Sequence, residues 1–467
     1  MRVVLIYSGI TSIGFDSIGI GAEGSWINHG LCLLSACAKQ AGHDVRLIDL
    51  RRLKGWEDFC SKIKEYQPQV VGATMMSVDF EPAVKCLRLV KEADRGIKTV
   101  VGGPHPSIMP EELLGLPEID YIITGEGEIS FVRLLDDIKN GRHPSEKIIA
   151  GEPADLDHLP CGDRDLFGIG EQPWWLTDKT PFVTIIAGRG CIYNCSFCQP
   201  AERKIFGKKV RRRSVDNVLA ELRLLRDRYH FQSFMFHDDC LIENQAWVRE
   251  FCVKYAEQGF NQEFICQGRA DIICKHPDLI KDMKNAGLVG IIIGFESGNQ
   301  RILNFLRKGV TVEQNYRAAA ICKELDVRIQ ANYMLGIPTE TREEVLDTLR
   351  MIETIQPKLY SQSVYTPAPG SDLFEYCKQH DLLLVNSHND YRRDAHMMNK
   401  IKGVDYAFLA KATARMKRRS QPWYRVMISS AIVYLVRKNR FTFAVMKQLL
   451  RNDLFRRLAH TIMHNFG

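Results

Sequence analysis

Three cysteines in the stretch Gly190-Cys191-Ile192-Tyr193-Asn194-Cys195-Ser196-Phe197-Cys198 constrain this chain more than any other feature. A CxxxCxxC triplet makes one short loop turn its thiols toward a common point. Structural zinc takes four ligands, usually from two CxxC-like pairs, and no second pair follows here. Three thiolates on one loop suit a [4Fe–4S] cluster with one iron left open, a variation on four-thiolate ligation. Two other readings compete: disulfides, which a reducing compartment disfavours, and a chance cluster in a chain with 14 Cys. The run Pro181-Phe182-Val183-Thr184-Ile185-Ile186 is rich in β-branched residues and predicts a strand. Gly188 and Gly190 allow the tight turn that follows. The triplet therefore lies at the carboxyl end of a strand, where α/β barrels keep their chemistry.

At 467 residues the chain has room for two or three domains. The sequence divides at 1–150, 151–180, 181–385 and 386–467. In the first part, strand runs at 2–7, 44–49, 70–74, 98–101 and 121–123 alternate with helical stretches such as 26–40 and 81–92. That alternation predicts a parallel, doubly wound, Rossmann-like sheet. Such a sheet binds ligands beyond its strand carboxyl ends. Those ends read Met75-Met76-Ser77, Gly102-Gly103-Pro104-His105-Pro106 and Gly125-Glu126-Gly127-Glu128. Small residues there let a large flat ligand approach the backbone. Gly19-Ile20-Gly21-Ala22-Glu23-Gly24 also matches the dinucleotide GxGxxG pattern, with Asp49 downstream. It lies too far beyond the first strand for that fingerprint.

Residues 151–180 are rich in Pro, Gly and Asp and carry no lasting period, so they read as a linker laid over both neighbours. Trp174-Trp175 either lines a cavity or packs between domains. From 181 to 385 strand and helix alternate again. Further strands at 232–236, 263–266, 289–294, 328–333 and 362–365 bring the count to six βα units. Ser214, with Asn217 and Glu221, marks a helix start between the first two. Polar residues gather just past the strands: His237-Asp238-Asp239, Gln267-Gly268-Arg269, Phe295-Glu296-Ser297-Gly298 and Gly336-Ile337-Pro338. A carboxylate in such a place can equally be a helix N-cap or a solvated charge. Cys240, Cys252, Cys266, Cys274 and Cys322 lack cluster spacing and read as free thiols.

Beyond 386 the strand signals stop. Residues 411–467 hold 13 Lys or Arg and one acid, a net +12; the whole chain is +7, so the remainder carries −5. Phe441, Val445, Leu449 and Phe455 fall near one helical face, with Lys447, Arg451, Arg456 and Arg457 between them. This basic amphipathic pattern suits an anionic membrane surface, nucleic acid, or a lid packed on the barrel. Nothing resembles a separate RNA-binding barrel, which argues against nucleic acid. No apolar run approaches the roughly 20 residues that span a bilayer. Without a signal-peptide pattern or paired cysteines, the expected setting is cytoplasmic, with peripheral contact at the inner membrane face as an option.

Taken together, the cysteine loop resembles the signature of radical S-adenosylmethionine enzymes. The Gly-Gly-Pro-His and Gly-Glu-Gly-Glu turns are similar to those of the cobalamin-binding domain that precedes many such cores. A Leu-Pro…Asp-Arg-Asp segment like Leu159-Pro160…Asp163-Arg164-Asp165 joins the two modules in that family. The resemblance covers roughly residues 1–385 and implies a cobalamin-binding domain, a partial (β/α)6 barrel and a helical tail. It implies a [4Fe–4S] cluster on Cys191, Cys195 and Cys198. It implies S-adenosylmethionine contacts at Phe197, Asp238, Asp239, Arg269, Glu296, Gly336 and Ile337. It implies cobalamin contacts at Met75, Ser77, Gly102, Gly103, His105, Gly125, Glu126 and Gly127. The DxHxxG motif through which many cobalamin proteins offer a histidine to cobalt is missing from Ser8–Asp16, so no histidine ligand is expected from that loop.

The implied chemistry is reductive cleavage of S-adenosylmethionine to a 5′-deoxyadenosyl radical, hydrogen abstraction, and in one branch methyl transfer from methylcobalamin. A flavodoxin or ferredoxin would supply electrons, and the substrate would be a small molecule or lipid. Two alternatives stay open: a cyclase or skeletal rearrangement enzyme of the same fold, and a non-catalytic cobalamin or cluster sensor. A methylthiolating enzyme would need a second cluster, and no second CxxxCxxC is present.

Overall fold

In a computed structural model the described residues are 1–9, 15, 27–168, 176–198, 202–391 and 399–420. The GxGxxG match, Trp174-Trp175 and the amphipathic stretch after Ser420 lie outside them. The apolar runs of the first part form β1 (Arg2–Tyr7), β2 (Asp44–Asp49), β3 (Val70–Thr74), β4 (Lys98–Gly102), β5 (Tyr121–Thr124) and β6 (Ile148–Ala150). They make one parallel sheet in the order β2-β1-β3-β4-β5-β6. Val3, Val4, Leu5 and Ile6 are each at most 1% exposed, so both faces of β1 are covered, as a parallel sheet requires. The strand order reverses between β1 and β3, which opens a crevice at the carboxyl ends. The first helix runs His29–Gln40, and Asn28 caps it by accepting from Leu31 N–H at 2.9 Å.

The second part adds β7 (Phe182–Ile185), β8 (Gly188–Arg189), β9 (Arg211–Arg212), β10 (Ser233–Phe236), β11 (Glu263–Gly268), β12 (Leu288–Glu296), β13 (Arg328–Leu335) and β14 (Leu359–Val364). Six of these form a curled parallel half-barrel in the order β14-β13-β12-β11-β10-β7. β8 and β9 pair antiparallel beside it, with Gly188 opposite Arg212, and brace the root of the cysteine loop. The core between sheet and outer helices is aromatic: Phe234, Phe236, Phe251, Tyr255 and Phe264 meet mostly edge to face, with ring centroids 5.0–6.1 Å apart.

The linker staples the two parts through consecutive residues. Asp163 accepts from Ser35 Oγ and Lys39 Nζ of the first domain, both at 2.6 Å. Arg164 donates to Thr184 O on β7 and lies 3.5 Å from Glu221. Asp165 accepts from Tyr229 Oη at 2.8 Å. His29 Nε2 meets Thr184 Oγ1 at 2.8 Å across the same junction. At the far end, the helix Tyr406–Ser420 packs on the barrel through Leu409, Ala412 and Met416. Among the described residues no helix is long and apolar enough to cross a membrane.

Candidate active site

The carboxyl ends of the two sheets face one another across a cavity of about 380 Å³. From the first domain it is lined by Gly102, Gly103, Gly125, Glu126 and Gly127. From the barrel it is lined by Gly188, Arg189, Gly190, His237, Asp238 and Asp239. The four glycines put bare backbone along part of the first-domain wall. Gly103 requires glycine: its φ is +103°, and a Cβ there would sit 2.9 Å from Thr74 Oγ1. Met75, Ser77 and His105 do not line this cavity. Met75 is fully buried in the domain core. His105 is also fully buried, hydrogen-bonded to Ser77 Oγ through Nδ1 at 3.1 Å. Burial pushes the His105 pKa down to about 4.

Glu126 and Glu128 are turned toward the barrel. Both are buried, and both engage Arg189, two residues before the first cluster cysteine, at 2.6 Å. Arg211 on β9 also pairs with Glu126. The Gly-Glu-Gly-Glu turn thus presents its glycines to the cavity and its carboxylates to the cysteine loop.

The loop itself is held by backbone. Gly190 turns the chain at φ +92°. Ser196 N–H donates to Leu306 O at 2.9 Å, and Leu373 N–H donates to Ser196 O at 2.7 Å. Phe197 packs among Ile302, Leu306, Met334 and Ile337, so it anchors the loop into the barrel. All three cysteines are free, half-buried thiols. Arg269 stacks on Tyr193 at 3.5 Å, donates to Lys308 O at 2.6 Å and places Nη1 3.9 Å from Cys195 Sγ. Three thiols on one loop with a guanidinium beside them fit a cluster whose thiolate charge needs a cation nearby.

Asp238 is fully enclosed. It accepts from Ala187 N–H at 2.9 Å and lies 3.5 Å from Arg212 Nη1. Burial pushes its carboxyl up to about 6, against the pull of those donors. Asp238 therefore braces the β7–β8 turn while its edge borders the cavity. Asp239 shares a hydrogen bond with Glu202, and burial raises both carboxyls.

Glu296 ends β12 in the left-handed region at φ +61°, after a bulge between Gly294 and Glu296. A non-glycine residue held there is a mark of a functional position. A Cβ at Gly294 would collide with Glu296 Oε1 and sit 2.9 Å from Lys308 Nζ. Lys308 Nζ pairs with Glu296 Oε1 at 2.9 Å, and both side chains are about nine-tenths buried. Burial lowers the Lys308 ammonium, but Glu296 and the Cys195 thiol raise it further. Gly336 and Ile337 direct both N–H groups onto Glu340 Oε2, at 2.7 and 3.2 Å. Those two donors are therefore committed within the chain.

Sequence reasoning missed Lys308, Arg189, Glu202 and Glu340. Arg189 and Glu202 find their partners far along the chain, whereas Lys308 pairs with Glu296 twelve residues back and Glu340 takes N–H groups three and four residues before it. Only its position next to the cysteine motif could have marked Arg189.

Residues 17–135 match the B12 binding domain, and residues 185–352 match the Radical SAM superfamily. The chain is 28% identical over 378 residues to the uncharacterized methyltransferase PH0819 of Pyrococcus horikoshii, covering 78% of this chain and 81% of that one. It is 28% identical over 400 residues to the anaerobic magnesium-protoporphyrin IX monomethyl ester cyclase of Rubrivivax gelatinosus, covering 80% and 70%. Its fold is similar to that of the cobalamin-dependent S-adenosylmethionine radical enzyme OxsB, with a TM-score of 0.68 at 17% identity over 99% of this chain and 70% of that one. The chain belongs to the cobalamin-dependent radical S-adenosylmethionine enzymes. Its cofactors are a [4Fe–4S] cluster, S-adenosylmethionine and cobalamin.

Proposed function

We propose that this enzyme transfers a methyl group to an unactivated carbon of a hydrophobic or secondary-metabolite substrate. The observation that carries this reading is the shared cavity. Gly102, Gly103, Gly125 and Gly127 border one side of it, and Arg189 and Gly190, at the root of the cysteine loop, border the other, which would put one substrate carbon between the two cofactors. The bound cofactors would supply the substrate radical and the methyl group, while the chain supplies orientation and exclusion of water. Cys191, Cys195 and Cys198 would hold the cluster. Glu296, Asp239 and Arg269 would orient S-adenosylmethionine on the open iron, and Gly102, Gly103, Gly125 and Gly127 would let cobalamin approach. Phe197, Asp238, Gly336 and Ile337 support these groups from behind. A flavodoxin or ferredoxin is the proposed electron donor.

The methyltransferase named among the relatives favours methyl transfer. The cyclase named beside it keeps ring closure as a second reading, and its porphyrin ester is itself a large, mostly apolar substrate. The two separate by experiment. Reconstituted protein is supplied anaerobically with reductant, cobalamin and S-adenosylmethionine deuterated in its methyl group, together with lipid and small-molecule extracts. Methyl transfer predicts a product carrying the deuterated methyl. A product that has lost hydrogen and gained no label would instead establish the cyclase reading.

A further inference from the structure

Away from the cavity, His105, Glu112 and His388 bring three ligand atoms to within 4.8 Å of one another. Glu112 belongs to a short helix after the Gly-Gly-Pro-His turn, and His388 to a 3-10 turn beyond the barrel, so the cluster straddles the junction of the two parts. His105 Nε2 lies 3.6 Å from Glu112 Oε2, and His388 Nε2 lies 2.9 Å from the same oxygen. Tetrahedral zinc with ligands at about 2.0–2.2 Å places its donor atoms about 3.3–3.6 Å apart. The observed separations bracket that edge.

Three features mark this as a built site. His105 is fully buried, and its Nε2 has no hydrogen-bond partner. Its other nitrogen, Nδ1, is held by Ser77 Oγ at 3.1 Å, the outer hydrogen bond that fixes a metal-ligating imidazole. In the tautomer whose Nδ1–H donates to Ser77 Oγ, the Nε2 lone pair of the neutral ring faces the Glu112 carboxylate, an arrangement a cation would stabilise. The second imidazole is held as firmly. His388 stacks on Phe80 at 3.9 Å with 8° between the planes, and Phe80 also meets His105 edge-on at 5.3 Å. Asp390 closes the turn by accepting from Asn386 N–H and Ser387 N–H at 2.8 and 2.9 Å.

We propose that His105, Glu112 and His388 form a binding site for a divalent transition cation of the zinc class. It pins the chain after the barrel to the cobalamin-binding domain. Two imidazoles and a carboxylate are a donor set for such cations, not for calcium or magnesium, which take oxygen shells. Glu112 and His388 keep 35% and 24% of their side-chain surface exposed, so solvent reaches the fourth position.

The test uses the full-length, cluster-reconstituted enzyme equilibrated with micromolar Zn2+ and desalted. Metal analysis should find about one zinc per chain beside about four irons. His388→Ala and the near-isosteric Glu112→Gln should each lower zinc affinity by about tenfold or more, with iron unchanged. Co2+ in place of Zn2+ should give weak visible bands without the intense thiolate charge-transfer absorption that the cysteine loop would produce. Should His388→Ala fail to fold, Glu112→Gln alone decides, with its fold verified by circular dichroism. Less than about 0.1 zinc per chain in the parent enzyme, or equal zinc in parent and variants, overturns the site. Thiolate charge transfer with Co2+ overturns it as well, because the cation then sits on the cysteines.

Discussion

Arg189 grips Glu128 with Nη2 2.6 Å from Oε1, while its Nη1 holds Glu126 Oε2 at the same distance. The Gly-Glu-Gly-Glu turn of the first domain is thereby bolted to the root of the cysteine loop. Removing one partner of a buried pair leaves an uncompensated charge and costs about 3–5 kcal/mol. Arg189→Ala should lower unfolding stability by that order, and Arg189→Lys should recover only part of it because the fork is lost. The exposed pair Arg133–Glu152 is the control, with both side chains about half exposed. Arg133→Ala should change stability by less than about 1 kcal/mol. Denaturant unfolding of the three variants reads the contrast.

The Glu296–Lys308 pair predicts a split between cluster loading and substrate binding. Glu296→Gln keeps the shape of the side chain but removes the charge that a cationic or hydroxyl group of S-adenosylmethionine would meet. A hydrogen bond to a charged group is worth about 1.5–3 kcal/mol, so affinity should fall by about 10- to 150-fold. Iron content should stay at the parent level. Equilibrium dialysis with labelled S-adenosylmethionine, alongside iron analysis, measures both quantities.

Two glycines of the cobalamin wall should respond differently. At Gly127 an added Cβ meets only the end of the Leu34 side chain, at 3.3 Å, and the backbone φ is negative. Gly127→Val should therefore fill the cavity wall, cutting cobalamin retention by about tenfold while stability stays close to the parent. At Gly103 the positive φ and the 2.9 Å approach to Thr74 make even Ala a backbone lesion. Gly103→Ala should lower both retention and melting temperature. Cobalamin absorbance after desalting, set against thermal unfolding, distinguishes the two.

For the basic tail, the prediction rests on sequence. Polybasic segments near anionic lipid gain about 1 kcal/mol per Lys or Arg. The full-length protein should co-sediment with anionic liposomes at low salt and much less at high salt. The comparison protein should end at Ser420, not near Val385. Leu409, Ala412 and Met416 belong to the barrel core, and a Cβ at Gly336 would sit 2.9 Å from Leu409 Cδ1. Equal sedimentation by both proteins would remove the tail as a membrane contact and, with it, the reason to expect a lipid substrate.

Much of the architecture was legible because its signals are local. The strands from Val3 to Val364 announce themselves as β-branched runs, and the glycine turns follow directly from strand ends. β6 was not expected, because three residues, Ile148–Ala150, are too few to show a period. The helix foreseen from Trp26 begins at His29 in the structure, because Asn28 is a better cap than the apolar residues before it. The glycines that border the cavity were legible at their strand ends, whereas the partners of the charges were not. Glu126 and His105 stood beside the right turns, but one serves Arg189 and the other faces Glu112. Those pairings are 63 and 7 residues apart in sequence, and no propensity or spacing rule encodes the partner.

The most direct test of the central claim is the fate of S-adenosylmethionine in the reduced enzyme. Full-length protein, reconstituted anaerobically with iron, sulfide and cobalamin, is incubated with S-adenosylmethionine and a one-electron reductant, and 5′-deoxyadenosine is quantified by mass spectrometry. The parent should form 5′-deoxyadenosine, while the variant with Cys191, Cys195 and Cys198 all replaced by Ala should lose its iron and the product together. Undiminished 5′-deoxyadenosine from the triple variant, or none from a parent enzyme carrying its full iron and cobalamin, would contradict the account.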